Sequence, residues 1–246
     1  MKRWRAGLLA MLAAMAPGVA VGADRAPVLV ELFTSEGCST CPPADKLLEK
    51  LDAAAVVLSE HVTYWDSKDW RDRYSLAEIT SRQMGYAGRF GLDSTYTPEM
   101  VVNGEVEFNG SNAKRAADEI AKASDRVKAV PRLSWADRGV QIQIDGARAG
   151  DRVYLALADD SASAKVTGGE NKGQELHYVA VCRELRRAGK VPPGGAYYEL
   201  IQLPAKARAQ RVIVWTQTGD SGKVASAALL LPAESGPSAA AGGQSN

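Results

Sequence analysis

The chain has 246 residues, and 30 Lys and Arg nearly balance 29 Asp and Glu, which leaves a formal net charge of +1. The basic residues are scattered, with neither a basic stripe nor interleaved aromatic residues, which excludes a nucleic-acid-binding protein. Three cysteines are too few for a disulfide scaffold, and the length allows two modest domains.

The first 23 residues are predicted to be a secretory signal peptide. Lys2 and Arg3 give a positive start, and residues 6–16 form an apolar run too short to span a bilayer comfortably. Small residues at 21–23 offer a cleavage site. We therefore expect a periplasmic or secreted protein, in a compartment where disulfides persist, with no stable membrane insertion after cleavage.

Residues 27–130 alternate between strand and helix patterns, which predicts an α/β domain with a mixed sheet. The Asn-Gly pair at 103–104 indicates a hairpin. Ser75 and Glu78 form a capping box before a helix that Gly91 ends. The predicted elements, in the order β-α-β-α-β-β-α, lie at 28–33, 44–54, 56–65, 76–89, 99–103, 105–108 and 113–127.

Residues 131–231 have a different pattern, with short alternating runs separated by Gly-rich and Pro-rich turns. Strands at this spacing predict a small all-β sandwich domain. The predicted strands lie at 140–144, 153–157, 176–181, 197–203, 211–216 and 224–231. Residues 232–246 are small and polar, which predicts a disordered tail.

A Cys-Ser-Thr-Cys motif at 38–41 joins the first predicted strand to the first predicted helix. This placement is typical of thioredoxin-type redox motifs, because the N-terminus of a helix favours a thiolate. Cys38 is then the nucleophile that attacks a substrate disulfide, and Cys41 is the resolving thiol. The motif alone also fits half of a zinc site or a structural disulfide.

The surroundings of Cys38 predict only a modestly lowered pKa. Glu36 is acidic, and no Lys, Arg or His lies between Phe33 and Asp45. The two prolines at 42–43 also delay the start of the regular helix, because proline fits best in its first turn. We expect Cys38 to be more exposed than Cys41, as befits an attacking thiol.

Four segments together resemble an exported bacterial thioredoxin-like family of unknown function. They are VELFTSEGCSTCPPAD at 30–45, HVTYWD at 61–66, YTPEMVVNG at 96–104 and GENKG at 169–173. The resemblance implies an α/β thioredoxin-like domain at 27–130, and the pattern of the second half adds the small all-β sandwich domain after it.

The resemblance also assigns roles to single residues. It implies that the Thr97–Pro98 bond is cis, and that Thr97 and Pro98 lie against the cysteines and present a backbone edge to an extended substrate. It implies further that Glu31 is a buried carboxylate that relays a proton to Cys41. The alternative for Glu31 is a solvent-facing or hydrogen-bonded side chain.

Other residues near the motif have two interpretations. Trp65 and Asp66 either line the rim of the site or serve packing and capping. His61 is expected to be structural, since a lone histidine needs a partner to fix a chemical role. Cys182 is expected to be a small buried apolar residue, because the ligand spacing does not support a metal site with His61 or His177.

These features predict an exported thiol–disulfide oxidoreductase that uses Cys38 and Cys41. Its partners would be protein or small-molecule thiols and disulfides, and it would need no dissociable cofactor and no metal. The alternative is a non-catalytic binding module on the same fold, in which the Cys38–Cys41 bond is only a structural disulfide. The reduction potential of the pair separates the two.

Overall fold

The computed structural model describes residues 26–233. The signal peptide predicted at 1–23, and the predicted tail beyond residue 233, lie outside the described residues. The strands and helices are β1 Ala26–Thr34, α1 Pro42–Leu51, β2 Ala55–His61, α2 Ala77–Phe90, β3 Glu99–Val102, β4 Val106–Asn109, α3 Ala113–Ser124, β5 Arg132–Ala136, β6 Gly139–Ile144, β7 Arg152–Lys165, β8 Glu175–Lys190, β9 Tyr197–Gln202, a 3-10 helix Ala205–Ala209, β10 Arg211–Gln217 and β11 Val224–Leu230.

An eight-stranded mixed sheet is the largest feature of the described chain, with the order β11-β10-β7-β8-β2-β1-β3-β4. β1 pairs with β2 in parallel and with β3 in the antiparallel direction, and β3 and β4 form the predicted hairpin. The first half therefore has the predicted order of elements, and it is a mixed α/β structure. The carboxyl end of β1 leads into the cysteine motif.

Local sequence signals explain most of the helix ends. α1 begins at Pro42 with proline in its first turn, as the sequence predicts. α2 ends before Gly91, which has φ of 70° and so adopts the left-handed conformation that glycine tolerates. The predicted capping box is absent, because the Ser75 hydroxyl donates to Asp66 Oδ2 at 2.9 Å and not to the start of the helix.

The second half does not form the separate sandwich that its pattern predicts. β7, β8, β10 and β11 extend the large sheet, and only β5, β6 and β9 form a second, antiparallel sheet. Alternation fixes which face of a strand is buried, but it does not fix the neighbouring strand. β8 lies beside β2 and covers an edge that would otherwise be open. Two β-layers do pack together, but the larger layer is shared with the first half.

The core accordingly joins both halves. Trp215 on β10 is fully buried in the same apolar cluster as Leu32 and Phe33 on β1. Asn103 links the halves through polar contacts, since its side chain accepts from Leu29 N and its carbonyl accepts from Val224 N, both at 2.8 Å. Among the helices at residues 26–233, none combines the length and apolar composition needed to cross a membrane.

Candidate functional site

A disulfide bond between Cys38 and Cys41 lies at the junction of β1 and α1, with Cα atoms 5.4 Å apart. Cys41 immediately precedes α1, and its carbonyl accepts from Ala44 N at 2.8 Å and from Asp45 N at 3.1 Å. Both cysteines have 0 % exposure. The expectation that Cys38 is the more exposed of the two is therefore wrong.

The loop between β7 and β8, residues 166–174, packs against residues 36–39 of the motif, and we call it the covering loop. Asn171 is buried, and its side-chain amide donates to the carbonyls of Glu36 at 3.1 Å and Cys38 at 2.7 Å. Glu170 N donates to Gly37 O at 3.0 Å. The second half of the chain thus holds the backbone on either side of Cys38.

Glu170 also binds Ser39, which lies between the two cysteines in the sequence. Its Oε2 accepts from Ser39 N at 3.1 Å and from Ser39 Oγ at 2.6 Å, and these bonds lower the pKa of Glu170. Glycine permits the close approach, because a Cβ at Gly169 would lie 2.6 Å from Gly37 Cα. The loop joins the antiparallel strands β7 and β8, and it is bound to its own chain.

Asp72 organises the turn before Cys38. Its Oδ2 accepts from Ser35 Oγ at 3.0 Å and from Glu36 N at 2.7 Å, and it lies 2.8 Å from His61 Nδ1. Burial would raise the pKa of Asp72, but His61 and the backbone N–H groups of Tyr74 and Glu36 together outweigh burial and lower it. Burial would lower the pKa of His61, but Asp72, Asp45 and Glu36 together outweigh burial and raise it. The buried His61 is therefore held by a specific carboxylate.

Asp45 is a second buried carboxylate, in the first turn of α1. Thr34 Oγ1 donates to its Oδ1 at 2.9 Å, whereas its Oδ2 has no hydrogen-bond partner within the described residues. Burial raises the pKa of Asp45 to about 7. Asp45 follows Cys41 by four residues, which places both on one face of the helix with the Asp45 side chain inclined back toward Cys41.

Glu36 forms an ion pair with Arg73, which is distant in sequence. Arg73 Nε lies 3.0 Å from Glu36 Oε1, and Arg73 also donates to the Lys165 carbonyl at 2.9 Å. Burial and the nearby Asp72 raise the pKa of Glu36. The segment at 33–45 contains no basic residue, so the local sequence gives no sign of this ion pair.

The Thr97–Pro98 peptide bond is cis, which confirms the expectation. Trp65 Nε1 donates to Thr97 Oγ1 at 2.8 Å, and a Cβ on Gly37 would lie 3.2 Å from Trp65 Cβ. Trp65 therefore lies between the cysteine motif and the Thr97–Pro98 segment. Pro98 is buried near α1, because Pro98 Cβ and Ala44 Cβ would each lie 3.2 Å from a Cβ at Gly110.

Asp66 makes its hydrogen bonds to residues 71–75. Its Oδ1 accepts from Asp72 N at 3.0 Å, and its Oδ2 accepts from Arg71 Nε at 3.3 Å and from Ser75 Oγ at 2.9 Å. It therefore orders the loop that carries Asp72. The described contacts link it to that loop and not to the cysteine motif.

Glu31 is not placed to relay a proton to Cys41. It is buried on the face of the sheet that packs against α2, where it pairs with Arg82 Nε and accepts from Tyr86 at 2.7 Å. Thr34, three residues along the same strand, faces Asp45 on α1. Successive strand side chains alternate between faces, so Glu31 points away from α1. This corrects the expected role.

Cys182 is a free, buried thiol on β8, and burial raises its pKa well above the usual value. It therefore packs as a small apolar residue, as expected. Within residues 26–233, no group of three or more His, Cys, Asp or Glu side chains is arranged to hold a metal ion.

The sequence interpretation missed Asp45, Asp72, Arg73, Glu170 and Asn171. Asp45 could have been found, because it follows Cys41 by four residues at the start of a helix. The other four come from loops distant in sequence, and only the tertiary structure brings them to residues 36–39.

Comparisons with known proteins identify the family. Residues 29–217 match the model of the family described as "Protein of unknown function (DUF1223)", and the chain belongs to that family. No curated protein is significantly similar to the chain.

Two solved structures are similar to this one. Protein AGR_C_4864 from Agrobacterium tumefaciens is 27% identical, with a TM-score of 0.75 over 85% of this chain and 96% of that chain. HBP35 of Porphyromonas gingivalis is 12% identical, with a TM-score of 0.54 over 85% of this chain and 76% of that chain. The second similarity concerns the fold alone.

Proposed function

We propose that this protein is an exported thiol–disulfide oxidoreductase whose first half is a thioredoxin-like domain. The observation that carries the proposal is the Cys38–Cys41 disulfide between the end of β1 and the first turn of α1. Backbone N–H groups and the helix dipole favour a thiolate at such a position. A loop closed by so few residues removes little entropy from the unfolded chain, which argues against a purely stabilising bond.

The exchange follows from the order of the two cysteines. A substrate thiolate attacks Cys38 Sγ, the Cys38–Cys41 bond breaks, and a mixed disulfide forms while Cys41 leaves as a thiolate. A second substrate thiolate then attacks the mixed disulfide, which releases the oxidised substrate and leaves Cys38 reduced. In the reverse direction, Cys38 attacks a substrate disulfide, and Cys41 resolves the mixed disulfide.

Asp45 is proposed to move the proton of Cys41. A buried thiolate is unfavourable, so the departing Cys41 sulfur needs a proton, and the protonated Asp45 can donate one. In the reverse direction the ionised Asp45 accepts the proton from Cys41. A pKa of about 7 suits both directions at neutral pH.

Thr97, Pro98 and Trp65 are proposed to form the substrate edge. Thr97 and Trp65 are partly exposed and are joined by a hydrogen bond, whereas Pro98 is buried beneath them. An extended polypeptide thiol or disulfide would pair with the backbone of Thr97. Protein and small-molecule thiols are the expected partners.

One observation favours the alternative of a binding module with a structural disulfide. Both cysteines have 0 % exposure, and Asn171 fixes the carbonyl of Cys38. Under that alternative the pair would not exchange with external thiols on a useful time scale.

Electron transfer tests the proposed function. The purified protein is supplied with dithiothreitol and a test protein disulfide, and its catalysis of substrate reduction is compared with Cys38→Ser, Cys41→Ser and Cys182→Ala. We expect Cys38→Ser and Cys41→Ser to lose turnover, and Cys41→Ser to accumulate a mixed disulfide, whereas Cys182→Ala keeps turnover. Absence of turnover in the unmodified protein would contradict the proposal.

A further inference from the structure

The covering loop makes five hydrogen bonds to residues 36–39, through Glu170 and Asn171 alone. These bonds flank Cys38 on both sides, because Asn171 reaches the carbonyls of Glu36 and Cys38. Packing adds to them, since a Cβ on Gly169 would lie 2.6 Å from Gly37 Cα. The loop therefore fits closely against the motif.

This closed arrangement conflicts with the chemistry of exchange. An incoming thiolate must reach a sulfur atom, and the rate of exchange depends on that access. Cys38 and Cys41 are both completely buried. The protein as described therefore cannot exchange until some part of the cover moves.

We propose that Glu170 and Asn171 form a latch, which holds the covering loop closed over the disulfide and must open before a thiol substrate can enter. This inference rests on the exchange proposed above, since it describes the regulation of that site. In the closed state the disulfide is protected from bulk thiols. Opening exposes Cys38 to the substrate.

The contacts of the latch suit reversible opening. The carboxylate of Glu170 lies at the surface, where water can replace its two bonds to Ser39. Gly169 has φ of 69° and Gly173 has φ of 91°, and these glycines flank the latch residues. Glycine adopts such conformations without a steric cost, so the loop can change its path with little strain.

The rate of reduction by dithiothreitol tests the latch. Samples are quenched with acid and alkylated, and the fraction reduced is read by mass. Loss of hydrogen bonds of ordinary net strength should speed reduction about tenfold in Glu170→Ala and in Asn171→Ala. Lys172→Ala is the matched control, because Lys172 is an exposed neighbour with no described side-chain contact to residues 36–39, and its rate should equal that of the unmodified protein.

The outcomes separate the latch from the proposed function. Reduction of Glu170→Ala at the unmodified rate overturns the latch, and Glu170→Ala decides the matter even if Asn171→Ala fails to fold. Separate samples of the same proteins, neither quenched nor alkylated, are assayed for electron transfer to a protein disulfide. Faster reduction without transfer in any sample supports the latch and overturns the oxidoreductase, whereas normal transfer with unchanged reduction rates overturns the latch alone.

Discussion

Glu31 and Asp45 are buried carboxylates on opposite faces of the large sheet, and they differ in their hydrogen-bond and ion-pair partners. Glu31 pairs with the buried Arg82, whose guanidinium also lies 3.9 Å from Glu60. Asp45 has a hydroxyl partner and no salt bridge to a lysine or arginine among the described residues. The first arrangement places a buried guanidinium against the carboxylate, whereas in the second burial raises the pKa of Asp45 to about 7, so its proton can be exchanged near neutral pH. We therefore expect Arg82 to matter for folding and Asp45 for reactivity.

Asp45→Asn should alter the pH dependence of exchange. The ionised Asp45 accepts the Cys41 proton, so the resolution rate of the mixed disulfide should rise as the pH increases through about 7. Asn cannot accept it, and at neutral pH the variant should be slower by about a hundredfold, the typical contribution of general acid–base catalysis. Stopped-flow kinetics against pH measures this, with the exposed Asp118→Asn as control. An unchanged profile would refute the role of Asp45.

Arg82→Leu should destabilise the protein by about 3–5 kcal/mol, because it leaves Glu31 buried without its cation. Urea unfolding measures the change. Arg89→Leu, at an exposed position on the same helix, should shift the unfolding free energy by no more than about 0.5 kcal/mol. Equal losses in the two variants would show that the buried ion pair is not the cause.

At the scale of elements, the sequence predicts what is decided locally. Pro42 starts α1, Gly91 follows the end of α2, and the Asn-Gly pair at 103–104 forms the hairpin. The capping box fails because Asp66, nine residues away in the chain, binds the Ser75 hydroxyl. The prediction of a separate sandwich is wrong for the same reason, since the pairing of strands depends on residues far away in sequence.

Local sequence predicts the position of the cysteine motif but not its surroundings. Its position between β1 and α1 could be predicted, because a strand pattern, two cysteines and a pair of prolines follow one another. Its burial could not be predicted, because the covering loop that packs against it comes from residues 166–174, far away in sequence. The face of Glu31 could have been predicted, since a three-residue separation from Thr34 places the two on opposite sides of a strand.

A chain ending at residue 130 should not fold cooperatively. Without β8 the edge of β2 is open, and without β10 the core loses the fully buried Trp215. We expect no sigmoidal urea transition for residues 24–130, as followed by circular dichroism, and a cooperative transition for residues 24–233. Cooperative unfolding of the shorter chain would instead support the domain boundary predicted at 130–131.

At the scale of the whole molecule, both halves build the candidate site. The first half supplies the cysteines, Asp45 and Asp72, and the second half supplies the covering loop. The shared sheet and core hold these parts in one arrangement. The second half is thereby expected to control access to the chemistry of the first.

Buried acids make the stability of the molecule depend on pH. Burial raises the pKa of Asp45 and of Glu99 to about 7, and also raises the pKa of Glu36 and Glu60. The folded protein therefore binds more protons than the unfolded chain between about pH 4 and 7, so stability falls as the pH rises through that range. The raised pKa of His61 acts in the same direction.

We accordingly expect a higher urea midpoint at pH 5 than at pH 8, for the unmodified protein with its disulfide intact. The lowered pKa of Asp72 acts in the opposite direction, but only below about pH 4. Asp45→Asn should reduce the difference between the two midpoints. A midpoint that is higher at pH 8 would contradict the described burial of these acids.

The reduction potential of the Cys38–Cys41 pair tests the central claim most directly. The protein is equilibrated in redox buffers of dithiothreitol or glutathione, quenched, and alkylated to count free thiols. An oxidoreductase should have a potential between about −270 and −120 mV, the range of known exchange proteins. A potential below about −300 mV would identify the pair as a structural disulfide and contradict the proposed function.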